Sequence, residues 1–78
     1  MDQSHSYDGR PELREHIAEM MAFCRHYSAM TQRYAEIGDD AGIAYSLRKF
    51  NAYNRAAVGS ACDLLAANSL AGNSEDAR

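Results

Sequence analysis

Several things are scarce in this 78-residue chain, and each scarcity closes off a class of protein. Two cysteines, Cys24 and Cys62, are too few for the disulfide framework of a small secreted domain. No apolar run approaches the ~18 residues a membrane span needs. The opening Met1-Asp2-Gln3-Ser4-His5 lacks the basic cluster and apolar stretch of a secretory signal. Sustained apolar–polar alternation is missing and β-branched residues are few, which leaves no strand to predict. No catalytic, metal or nucleotide motif rises above background. The expectation left by these gaps is a soluble, cytoplasmic, all-α protein, with 46% hydrophobic and 24% charged residues and a mean hydropathy of −0.52. A net charge of −3 argues against a general nucleic-acid coat but not against a local basic patch.

What is present is a heptad rhythm. Leu13, Ile17, Met20, Cys24, Tyr27, Thr31 and Tyr34 recur at alternating steps of four and three, the spacing of an apolar seam along one helix. Ile43, Leu47, Phe50, Asn54, Ala57, Ala61 and Leu64 repeat those steps after a short break at Gly38-Asp39-Asp40. Two seams joined by a tight bend predict an antiparallel two-helix hairpin. In that register Cys24 faces Asn54, where a buried asparagine would fix the alignment. Cys62 lies about two turns further along, beyond the ~7 Å that a disulfide spans, so both thiols are expected to be free.

Taken in order, residues 1–10 show no period and read as a flexible arm. Pro11 is tolerated at a first helical position, and Glu12 and Glu15 suit the positive end of the helix dipole, so the first helix is expected over residues 11–37. Gly38 closes it, and Asp39 or Asp40 caps a second helix over residues 40–67, leaving a turn at 38–40 and a hairpin spanning 11–68. Gly42 and Gly59 are weak points in the second helix, each costing roughly 1 kcal/mol against alanine. Residues 69–78 are small and polar and read as a flexible tail.

Beside the first seam runs a second stripe, His16, Phe23, Met30 and Ile37, at seven-residue spacing. A lone hairpin is expected to leave it wet, and chains this short usually need a disulfide, a metal or a partner. The expectation is therefore a homodimer forming a four-helix bundle, held by His16, Phe23, Met30 and Ile37 against the small-residue face of Ala56, Gly59 and Ser60. Over residues 11–67 this pattern resembles the Rop family of plasmid copy-number regulators, in which two antiparallel helices joined by a tight acidic turn pair into a four-helix bundle. The resemblance lies in the architecture, and it implies that fold and hints at RNA binding. Separately, Tyr34-Ala35-Glu36-Ile37-Gly38-Asp39-Asp40-Ala41 and Ile43-Ala44-Tyr45 are similar to the turn of a tetratricopeptide repeat.

Three functional classes follow from the side chains. The first is a non-enzymatic regulatory or adaptor protein, an inhibitor for instance, that binds an unidentified partner protein, with Tyr45, Arg48, Lys49 and Tyr53 as the contact residues. The second is an RNA-binding regulator whose mid-rod belt of Arg25, Arg33, Arg48, Lys49 and Arg55 would grip phosphates while tyrosines stack on bases. The third is a metal-binding carboxylate bundle, built from the Glu12, Glu15, His16 and Glu19 quadrant with Asp63, although the Glu-x-x-His spacing of such bundles is absent. Covalent catalysis has no foothold. Cys24 and His26 are two residues apart and point to different sides of a helix, so no catalytic residue, cofactor or membrane partner is expected.

Overall fold

The structure is a computed structural model that describes residues 8–76, with the side chains of residues 8–71. Two helices, α1 (Arg10–Ile37) and α2 (Asp40–Asp76), pack against each other. Cross-helix bonds from Arg10 to Asn68, His16 to Ser60 and Thr31 to Ser46 make the pair antiparallel. Much of the expected arm, residues 1–7, lies outside the described residues, as do residues 77–78.

Local chemistry sets both ends of α1. Pro11 sits in the first turn, where its missing N–H breaks no helical bond. Gly9 accepts the N–H of Leu13 at 3.0 Å. Asp8 supplies the side chain that Gly9 lacks: its Oδ1 accepts the backbone N–H of Arg10 and the guanidinium Nε, and its Oδ2 accepts a terminal guanidinium nitrogen, all at 3.0 Å. These hydrogen bonds hold the Asp8 carboxyl down at about 2, from an ordinary 3.8. At the other end Gly38 takes the left-handed conformation, φ 75° and ψ 27°. Its N–H bonds to the Ala35 carbonyl at 3.3 Å and that of Asp39 to the Tyr34 carbonyl at 2.8 Å, a Schellman closure. Asp39 is also the cap of α2, its Oδ1 accepting the Gly42 N–H at 2.9 Å. Tyr34 folds back over this turn so closely that a Cβ on Gly42 would stand 2.5–2.7 Å from its ring carbons. Gly42 is thus a steric requirement as well as a weak helical position.

The α1 seam lies as its spacing predicts, with Leu13, Ile17, Met20, Cys24, Tyr27, Thr31 and Tyr34 all buried or half-buried. On α2, Ile43, Phe50, Ala57, Ala61 and Leu64 turn inward, but Leu47 and Asn54 are exposed. Ser46 and Tyr53 hold their places, so Cys24 meets the backbone of Phe50, its Sγ 3.9 Å from that carbonyl, rather than Asn54. The reason is polar. Ser46 is 0% exposed, and its Oγ lies 2.6 Å from Thr31 Oγ1, 2.9 Å from the Gly42 carbonyl and 3.3 Å from that of Ile43. Thr31 in turn donates to the Tyr27 carbonyl at 2.8 Å. A leucine in that place would leave the Thr31 hydroxyl with only its own helix to bond. Both thiols are free, Cys24 buried and Cys62 exposed.

At the open end the helix outruns its expected stop. α2 continues past Ala67 to Asp76, through the stretch read as a flexible tail. Arg10 donates to the Asn68 side-chain oxygen at 3.2 Å, and Leu13, Ala67, Leu70 and Ala71 gather round it, so this turn has a partner to fold against. The 37 residues of α2, at ~1.5 Å each, account for the 58 Å length of a body only 27 × 13 Å across. No described helix is long and apolar enough to cross a membrane.

Candidate functional site

The antiparallel register sets the edge of α1 that carries Phe23, Tyr27 and Met30 beside the edge of α2 that carries Tyr45, Lys49 and Tyr53. On α2 those three recur at steps of four, one above the other along a single helical edge. Phe23 stacks on Tyr53 across the gap, centroids 4.4 Å apart and planes 16° from parallel. Tyr53 stacks in turn on Tyr27 at 5.7 Å and 12°, and Tyr27 meets Tyr45 edge-on at 6.4 Å and 71°. His26 lies edge-on to Tyr27 at 4.9 Å, and Lys49 Nζ sits 5.9 Å from the centre of the Tyr45 ring, a cation–π distance. Phe23 is 41% and Tyr45 42% exposed, while Tyr27 and Tyr53 are half-buried beneath them. The Tyr27 phenol is pushed above its ordinary 10.0, first by desolvation, then by the charge on Tyr45, a hydrogen bond with Tyr45 and the charge on Tyr53.

This face unites residues that the sequence had assigned to different roles. Of the stripe expected to lie wet against a second copy, His16 is bound within the chain, its Nδ1 2.8 Å from Ser60 Oγ. Phe23 is stacked on Tyr53 with its outer side in solvent, Met30 is half-buried, and Ile37 is 74% exposed. α2 thus touches the second stripe of α1 at His16 and Phe23, while His16, Phe23 and Ile37 stay exposed. Ala56 and Gly59 are exposed, with nothing within 4 Å of where a Gly59 Cβ would stand. Among the partner-contact candidates, Tyr45, Lys49 and Tyr53 come together. Arg48, next to exposed Leu47, points away from them.

The basic belt is exposed but not on one side. Arg48 and Arg55, seven apart, share the outward face of α2; Lys49 lies against the rings, and Arg25 and Arg33 leave α1 in directions roughly 80° apart. Among the described residues no three of His, Cys, Asp and Glu gather into a metal-holding group. Near the open end an uncovered depression of about 390 Å³ is lined by Leu13, Ala67, Leu70 and Ala71 with Asp8, Gly9 and Arg10, and its acid and base are already bonded to each other.

Tyr27, read from the sequence only as a seam residue, is the centre of this cluster. The steps of four from Tyr45 through Lys49 to Tyr53 were the available signal for the edge it faces. Comparison with protein-family models, with curated proteins and with solved structures finds no match for this chain.

Proposed function

We propose that this chain is a non-enzymatic regulatory or adaptor module, a helical hairpin that pairs with a second copy and binds a partner protein through its aromatic face. The observation that carries the reading is the run of contacting rings, Phe23, Tyr53, Tyr27 and Tyr45, with Lys49 at its edge. Tyrosine and phenylalanine are enriched where proteins dock, because each offers a large rigid surface at small entropic cost. Rings already locked against one another have less freedom to lose on binding.

Self-pairing is supported by how little the hairpin buries. Among residues 8–71 only Cys24 at 5%, Ala57 at 4% and Ser46 at 0% are buried, while Leu47, Val58, Leu65, Leu70 and Ile37 are 43–74% exposed. Such a chain has too small a core to keep its apolar surface dry alone.

The test is affinity capture from the native host at low and at moderate salt, with wild type beside a Tyr45→Ala/Tyr53→Ala variant. The expected result is a protein that the wild type retains at both salts and the variant loses. RNA recovered instead, with binding that falls by orders of magnitude as salt rises, would replace this reading with the basic-belt regulator built on Arg25, Arg33, Arg48, Lys49 and Arg55. A melting temperature raised by added divalent ion would point to the carboxylate bundle.

A further inference from the structure

Leu47 and Asn54, displaced from the seam, are part of a second one. Leu47, Asn51, Asn54, Val58, Ala61 and Leu65 follow one another at steps of four, three, four, three and four, down a face of α2 turned about a quarter-turn from the contact with α1. Leu47 is 43%, Val58 52% and Leu65 65% exposed, and Ala61 is half-buried where the face abuts the hairpin contact. From α1 the 40%-exposed Met21 stands beside the middle of this run, since the His16–Ser60 and Phe23–Tyr53 pairs set it level with residues 55 and 56. The six positions carry no charge, and Arg55 borders them and splays into solvent.

The arrangement is its own reverse complement. Turned end for end about the level of Ala56, Leu47 falls on Leu65, Asn51 on Ala61 and Asn54 on Val58, so every position of the set lands on another member. An isologous two-fold contact demands this property, because residue i must meet j wherever j meets i. Large also meets large at both ends, while between them asparagine meets alanine or valine. The two Asn54 side chains would lie roughly 6 Å apart along the axis, near enough for paired amides to fix the register.

We infer that this face is where two copies of the chain pair, α2 against α2, antiparallel about a two-fold axis level with Ala56. The assignment rests on the self-pairing reading above and moves the contact away from the Phe23 and Met30 edge, leaving the aromatic face open to a partner protein. A second copy laid here turns a body 13 Å thick into two layers, and a broad face of 58 × 27 Å leaves ample room for the ~800 Å² per partner that stable association uses.

Sedimentation and circular dichroism of three proteins test it: wild type, Leu47→Glu/Leu65→Glu and Leu47→Lys/Leu65→Glu. Wild type is expected at twice the 8.6 kDa chain mass. The double glutamate variant should be a monomer of unchanged helicity, its self-association weakened ~100-fold or more by charges forced against apolar surface. The lysine–glutamate variant should remain a dimer, because in the antiparallel arrangement an introduced lysine of one copy meets an introduced glutamate of the other at both ends. A wild type that stays monomeric through the micromolar range overturns this proposal and the self-pairing reading together. A double glutamate variant that stays dimeric overturns the surface alone, and a monomeric lysine–glutamate variant overturns the register. Should the double glutamate variant lose helicity, the lysine–glutamate pair decides, its dimer supporting the arrangement and its monomer refuting it.

Discussion

Gly42 and Tyr34 constrain each other across the turn. Alanine favours a helix interior over glycine by about 1 kcal/mol, yet at position 42 its methyl would meet the Tyr34 ring at under 3 Å. Overpacking of that kind costs ~1–3 kcal/mol, so Gly42→Ala should lower stability in urea unfolding. Gly42→Ala made in a Tyr34→Ala background should instead raise it. The Thr31–Ser46 pair makes a different test, since two hydroxyl protons there serve several acceptors and each side chain keeps a carbonyl of its own helix when the other is removed. Thr31→Val and Ser46→Ala should each cost about 1 kcal/mol. Together they should cost less than the sum, and a double-mutant cycle by urea unfolding measures the coupling.

At the scale of the helix, the start of α1 depends on protonation. The Asp8 carboxyl titrates at about 2 against an ordinary 3.8 because Arg10 donates to it. The folded chain therefore binds that proton more weakly than the unfolded one does. The stabilisation is complete above pH 3.8 and is lost as pH falls through about 2. An NMR titration should place the Asp8 midpoint at about 2, and Arg10→Ala should return it towards 3.8. On α2, Gly59 has open space where a Cβ would go. Gly59→Ala should stabilise the helix by ~0.5–1 kcal/mol. A loss of stability or of self-association in that variant would restore Gly59 to a close helix–helix contact, the place its spacing first suggested.

For the molecule as a whole, a helical body one helix thick, with three small residues buried among those described, depends on what covers its faces. If folding is linked to pairing, the thermal midpoint should rise with protein concentration, because mass action favours the associated state. Scanning calorimetry across a hundredfold dilution checks this, and a midpoint that does not move would mean the hairpin is stable alone. The seam of α1 was legible, every position from Leu13 to Tyr34 in its four-and-three ladder being buried or half-buried. That of α2 was not, since Leu47 and Ser46, or Asn54 and Tyr53, each satisfy a heptad count taken along one helix. What chose between them was a hydroxyl on Thr31 and a ring on Phe23, both on the facing helix.

The sequence by itself determined the class, the hairpin, the left-handed glycine at 38 and a cap from the Asp39-Asp40 pair, of which the structure uses Asp39, because these depend on backbone conformation and on neighbours within a few residues. Only the tertiary structure decided how far α2 is rotated about its axis, how far it runs beyond Ala67, and which side chains share a face. The period of a helix is a local property of the chain. Its phase is set by the groups it must satisfy across the interface, and these belong to another part of the sequence.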